Sequence, residues 1–432
     1  MKFLRFTTTN MKIIKYIDKF SASKRAKQVI LGLLFIATLF AVLRDTITSK
    51  HDFSGYVIAG ELAWNHLDIY SHHLNTWPPS FSVISILFYG INSVSSYLTQ
   101  FCWLTGFMIS YIFCFKWILE IFFNKSFKFS LNPGTEDEIT FMSWVFIVPF
   151  FLGLRIIFEE IVNIQINIYL MTLCILALKL SLKEKNVLAG LLVAVTIACK
   201  VYTVILLPLL LFRKKWKFAL STTIWFIVIM ATVFLYFGYD QAVLHHINWW
   251  QKDVVSKNIF DHGNQSIGSF ITGLLCNVER FAGIKYNISS ITLMQAKMVS
   301  LIVCSVLALI TGIIFIKKYH STNAYAWQFV ITMTFIPIFS PISWKYYYVF
   351  VMPLTLILYV ILNNKKRLKK IYWLPLLLIT LSSEVVVGRH FSDVLEAYGV
   401  ITISALILIG LSLYTYFYNI QNTDKKNSIT TS

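Results

Sequence analysis

Long apolar runs separated by short blocks rich in lysine and arginine recur along almost the whole of this 432-residue chain. Several runs reach the roughly 17–25 residues that a helix needs to cross a bilayer. In lipid, a helix is the one open-chain form that satisfies its own backbone donors and acceptors. A soluble core is no alternative. Hydrophobic residues make up 57% of the chain and charged residues 13%, with a mean hydropathy of +0.67, too apolar a balance to hide inside one globular domain. The expected fold class is therefore all-α, a polytopic membrane protein with about 12 membrane helices.

The formal net charge of +18 would suit nucleic acid if the basic residues lined one face. They are instead sorted into blocks between apolar runs, at 1–28, 124–140, 179–185, 213–217, 317–318, 365–370 and 425–426. That pattern argues against a nucleic-acid partner and places these blocks, with both chain ends, on the cytoplasmic side. Parity then fixes the rest. A first helix over 29–44 runs outward and leaves 45–79 on the far side. Residues 79–91 dip in without crossing, and 95–123 returns. Residues 186–212 form a hairpin of two short helices with Lys200 and Tyr202 near its tip. Further crossings are expected at 141–158, 164–182, 218–238, 292–316, 325–340, 346–363, 371–388 and 399–418. The organisation is thus a basic cytoplasmic segment (1–28), one membrane domain (29–418) with outer loops at 45–79 and 239–291, and a cytoplasmic tail (419–432). The first apolar run lacks a small-residue cleavage site and is read as an anchor. Abundant Lys, Ile and Asn suggest a bacterial source, hence a cell inner membrane.

Four outer segments, 45–79, 239–291, 340–345 and 389–398, are expected to converge on one outer cavity. The first carries Asp45 and Asp52 and ends in Trp77-Pro78-Pro79; it is too aromatic for a disordered linker. Arg155, Lys200 and Arg389 lie near outer helix ends, where an ionisable residue at membrane depth is a functional candidate. Lys200 either holds an anionic group or snorkels to the surface. Arg155 either joins it or pairs with Glu159 or Glu160. Gln165 and Asn167 open a membrane helix, their amides directed either to a ligand or to neighbouring helices. Asn264-Gln265-Ser266 is read as ligand contact in preference to a turn. The six cysteines are scattered with no Cys-x-x-Cys, and His66, His72 and His73 beside aromatics at a membrane surface are not read as a metal site. Neither an internal repeat nor a phosphate-binding glycine loop is present. No cofactor is expected.

Four blocks in this order carry a resemblance: Asp52-Phe53-x-x-Tyr56 through Asp68-Ile69-Tyr70 to Trp77-Pro78-Pro79; Gln165-x-Asn167 followed by Ala189-Gly190 and Lys200; Asn264-Gln265-Ser266; and Ser340-Pro341-x-Ser343-Trp344. Together they resemble the polyprenol-phosphate-sugar-dependent glycosyltransferases of family 87, relatives of mannosyltransferases with the GT-C membrane fold. The chain departs from that pattern where a His often follows Ser-Trp; here the residues are Lys345-Tyr346-Tyr347.

The resemblance implies transfer of a hexose, with mannose expected, from a polyprenyl-phosphate donor to a lipid-linked or cell-surface glycan acceptor, with inversion, among membrane lipids on the outer face. Such a reaction needs one base for the acceptor hydroxyl. Its leaving group is already a weakly basic phosphate, to be stabilised by cations and hydrogen-bond donors. Asp52 is the expected base, with Asp45 as runner-up. Lys200, Arg389 and Arg155 are the donor-phosphate candidates. Tyr56, Tyr70, Trp77, Gln165, Asn167, Asn264, Gln265, Ser266, Ser343, Trp344 and Tyr346 are the candidates for sugar or acceptor contact. A polytopic transporter, a lipid-glycan flippase and a polysaccharide polymerase are the alternatives from other classes.

Overall fold

The structure is a computed structural model and describes residues 29, 32–33, 52–130, 132, 138–255, 263–279, 283–317, 323–362 and 365–429. The expected first membrane helix falls almost wholly outside the described residues, and Asp45 lies outside them too. The rest is mostly helical. One departure from an all-α chain is a parallel pair of two-residue strands, Ser126–Phe127 with Glu138–Ile139.

Five described helices are long and apolar enough to cross a bilayer: Ser96–Phe123, Trp216–Phe237, Leu293–Lys317, Lys345–Leu362 and Val400–Tyr418. A sixth span results if the bent pair Leu154–Val162 and Asn167–Leu182 counts as one. The sequence led us to expect about a dozen crossings. The difference lies partly in four apolar helices of 10–17 residues, Pro79–Val94, Asn186–Cys199, Val201–Phe212 and Ala324–Phe339.

Proline and glycine account for further breaks. The single crossing expected over 141–158 is divided into Trp144–Leu152, with Pro149 inside it, and Leu154–Val162, parted at Gly153. An internal proline removes a ladder hydrogen bond and crowds the preceding turn. Pro337 follows a similar break between Ala324–Thr334 and Ile336–Phe339. At the other extreme, the last helix runs on to Ile429, beyond the expected end at 418.

Burial sorts the helices into two kinds. Every residue of Ala324–Thr334 is buried, and Asn167–Leu182 is buried along most of its length. Trp216–Phe237 and Leu293–Lys317 instead expose large side chains such as Ile227, Leu235, Leu301 and Leu309. A helix apolar all round with one side unburied suits lipid contact. The buried group surrounds the polar residues described next.

Candidate active site

Asp52 opens the helix Asp52–Trp64. This helix crosses Pro79–Val94 at very short range, because Gly60 has no Cβ; one built there would lie 2.1 Å from the Ser85 carbonyl oxygen. Pro79 starts the second helix, where its fixed φ fits and its missing N–H costs nothing. The connecting loop is folded against both. Tyr70 Oη donates to the Trp77 carbonyl at 2.7 Å, and Asn75 Nδ2 donates to the Ile69 carbonyl at 2.7 Å and to Ser82 Oγ at 3.1 Å. Trp77, Phe81 and Trp103 enclose the Tyr56 ring, with centroids 4.5, 5.1 and 5.8 Å away. Tyr70 and Trp77 thus back the Tyr56 side chain.

The second contribution comes from a sharp bend. The axes of Leu154–Val162 and Asn167–Leu182 differ by 119°, and Ile164, buried within the turn, has φ +46°. Left-handed backbone is uncommon for a β-branched residue and costs about 1–3 kcal/mol, sustained only when the surroundings hold it. The holding contacts are local: Ile164 N donates to the Ile161 carbonyl at 3.1 Å and Gln165 N to the Glu160 carbonyl at 2.9 Å. Trp103 Nε1 donates to the Gln165 carbonyl at 3.3 Å. The result presents Gln165 and Asn167 on the inside of the bend.

Gln165 is the centre of the site. Its Nε2 donates to Asp52 Oδ2, and its Oε1 accepts from Tyr56 Oη at 3.1 Å and from Lys200 Nζ at 3.3 Å. Tyr346 Oη donates to the same Asp52 oxygen at 3.2 Å. Lys200 Nζ also donates to Asn167 Oδ1 at 3.0 Å, as does Tyr202 Oη. The ammonium lies 4.6 Å from the centroid of the Tyr347 ring and 5.6 Å from that of Tyr346, within cation–π range. Lys200 is extended, between Asn186–Cys199 and the 3₁₀ turn Val201–Ile205. It is only 6% exposed, so it turns inward and does not snorkel. A carboxylate and an ammonium thereby meet on opposite ends of one carboxamide.

Arg155 corrects one sequence expectation. Its partner is neither Glu159 nor Glu160: the guanidinium bonds Glu396, Ser382 Oγ, the Ile379 carbonyl at 3.3 Å and Ser392 Oγ at 3.3 Å. Lys345 takes Glu159 at 2.9 Å and also reaches Glu396 at 3.1 Å. Burial pushes the Glu396 carboxyl above the ordinary carboxylate range, while Lys345 and Arg155 pull it back. This second cluster adjoins the first along the chain, since Glu159 precedes Glu160 and Lys345 precedes Tyr346.

The remaining candidates have structural engagements. Asn264 Nδ2 donates to the Pro341 carbonyl at 2.8 Å, and its Oδ1 accepts from the Ser343 and Ser266 backbone N–H groups, both at 2.9 Å. Gln265 Nε2 donates to the Glu396 carbonyl at 3.3 Å, and Ser266 caps the helix Ile267–Leu275 through Ser269 N. These three residues and Ser343 pin a turn, the reading the sequence had ranked second. Trp344 packs on Gly263, where a Cβ would come within 2.0 Å of its ring. Arg389 is exposed at the start of the helix Arg389–Ala397. Among the described residues no three His, Cys, Asp or Glu side chains converge as a metal site would require.

Three residues of the cluster, Glu160, Tyr202 and Tyr347, were not singled out as candidates from the sequence. Tyr202 and Tyr347 had a usable signal, two positions from Lys200 and one from Tyr346. Glu160 had none beyond being an acid in an apolar helix, because its partner Asn167 lies across the bend.

The fold and this cluster define a multi-pass membrane protein with buried ionisable and amide groups gathered at helix breaks. The chain belongs to glycosyltransferase family 87, whose family model matches residues 75–341. It is therefore a membrane-embedded transferase enzyme. The match includes Gln165, Asn167 and Lys200, and begins after Asp52. No curated protein and no solved structure matches the chain.

Proposed function

We propose that this enzyme transfers a hexose, with mannose the expected sugar, from a polyprenyl-phosphate-linked donor to a lipid-linked or cell-surface glycan acceptor. The reaction runs at the outer face of the cytoplasmic membrane, in a GT-C arrangement of about twelve helices with both chain ends cytoplasmic. The observation that carries this reading is the Gln165 carboxamide, bonded to the Asp52 carboxylate through nitrogen and to the Lys200 ammonium through oxygen.

In the proposed step the acceptor hydroxyl oxygen attacks the anomeric carbon and its proton passes to Asp52. The bond from that carbon to the phosphate oxygen breaks on the opposite side, and its electron pair stays with the polyprenyl phosphate. A single displacement inverts the anomeric centre. Lys200 stabilises the departing phosphate, which needs no general acid because it is already a weak base. Tyr346 and Gln165 hold the Asp52 oxygen by donating to it. Tyr56 positions the Gln165 oxygen, and the Tyr202 and Tyr347 rings border the place where the sugar phosphate would sit.

The test is transfer of radiolabelled hexose from polyprenyl-phosphate-mannose, and from other polyprenyl-phosphate hexoses, into lipid or glycan by membranes carrying the protein. Wild type should transfer, and Asp52→Asn should insert equally well and transfer about 10²- to 10⁴-fold more slowly. Transfer retained at the wild-type rate in Asp52→Asn would remove Asp52 as the base. Failure of wild type with every donor would sink the polyprenyl-phosphate reading itself.

A further inference from the structure

Glu160 is fully buried and takes no part in the proposed step. Its Oε1 accepts from Asn167 Nδ2 at 2.7 Å and its Oε2 from the Ile168 N–H at 3.4 Å. On the other side of the same amide, Asn167 Oδ1 accepts from Lys200 Nζ and Tyr202 Oη. An ammonium has donors and no acceptor, so it requires the oxygen end of Asn167; a glutamate that receives an N–H requires the nitrogen end. The two demands agree, and they leave the amide one orientation. Without Glu160 the Asn167 nitrogen would lose its acceptor, and only the contacts from Lys200 and Tyr202 to its oxygen would hold the amide in place.

We infer that Glu160 is a positioning residue: it fixes the orientation of the Asn167 amide and, through it, the direction in which the Lys200 ammonium is presented to the donor phosphate. The inference rests on the proposed role of Lys200. It adds a residue that touches neither sugar nor phosphate, and it explains why a carboxyl group is buried at the bend. It also gives the bend a purpose. Glu160 lies before the left-handed Ile164 and Asn167 after it, and the turn brings the two side chains face to face.

A polarity swap tests this. Glu160→Gln places N–H donors opposite N–H donors, and Asn167→Asp places two carboxyl groups together. The double variant E160Q/N167D restores every bond with the roles exchanged. The introduced amide at position 160 then donates to the introduced carboxylate at position 167 and accepts from Ile168 N, and that carboxylate accepts from Lys200 and Tyr202. Two quantities are measured on purified protein in detergent: kcat/KM with a polyprenyl-phosphate hexose and the Kd for polyprenyl phosphate followed by tryptophan fluorescence. Thermal stability is recorded alongside.

Each single variant should weaken polyprenyl-phosphate binding and lower kcat/KM about tenfold, the scale of one lost orienting hydrogen bond. The double variant should recover to within about threefold of wild type. Glu160→Gln equal to wild type in both measurements would overturn the inference. So would a double variant no better than the worse single, or losses in stability with unchanged kcat/KM and Kd. If wild type neither transfers nor binds polyprenyl phosphate, the reading of the site fails, and this inference with it. Wild-type function with an indifferent Glu160→Gln would remove this inference alone.

Discussion

Two buried polar clusters lie side by side in this enzyme and are built on opposite principles. Around Arg155, two cations and two carboxylates meet directly: Arg155 with Glu396, and Lys345 with Glu159 and Glu396. Around Gln165, the charges of Asp52 and Lys200 are joined through an amide and flanked by phenols. Direct pairing neutralises charge and ties distant segments together, so it suits a fastening. Bridging through neutral dipoles holds charges in place while leaving them to act on something else, so it suits chemistry. Two carboxyl groups adjacent in sequence, Glu159 and Glu160, face one cluster each.

That contrast is open to attack. The largest effect is expected from Asp52→Asn, which removes the proposed base and should lower transfer by about 10²- to 10⁴-fold with normal insertion. Should it lower stability instead, the cluster at Gln165 would be another fastening. Next, Arg155→Met leaves Glu396 buried with one partner fewer and should cost about 3–5 kcal/mol of stability. It would show as reduced yield and a lower Tm, with near-normal specific activity in the protein that survives. A specific loss of activity at unchanged Tm would move Arg155 into the chemistry and collapse the distinction. The smallest effect belongs to Tyr346→Phe, at the join between the clusters. Losing one hydrogen bond to Asp52 should cost about 0.5–1.5 kcal/mol in transition-state stabilisation, a few-fold in kcat/KM, and leave the Lys345 pairing intact. A loss as large as that of Asp52→Asn would show that Tyr346 does more than hold the carboxylate.

The sequence was most informative where chemistry is local. Long apolar runs and basic blocks give the membrane class, and the spacing Gln165-x-Asn167 names two of the amides at the bend. Asp52, Tyr56, Gln165, Asn167, Lys200 and Tyr346 were all named from the chain, and the structure brings them together. Long-range pairing was not legible. Arg155 has two acids within five positions, yet its partner lies 241 positions away, and nothing in a helical repeat points there. Asn264 was read from the sequence as ligand contact in preference to a turn. Its amide bonds Pro341 and Ser343, partners visible only once the loops are folded. Apolar composition alone does not separate spans from shorter helices: Pro79–Val94 and Asn186–Cys199 are apolar but have 16 and 14 residues.

The great sequence separation of Arg155 from Glu396 has a consequence for biogenesis. The chain is made from its N-terminus, so Arg155 enters the membrane before the ribosome has reached its counter-charge. Until the helix Arg389–Ala397 is in place, the guanidinium must be sheltered by the insertion machinery, by water or by lipid phosphate. The Arg155–Glu396 pair can therefore form only after synthesis has passed residue 396.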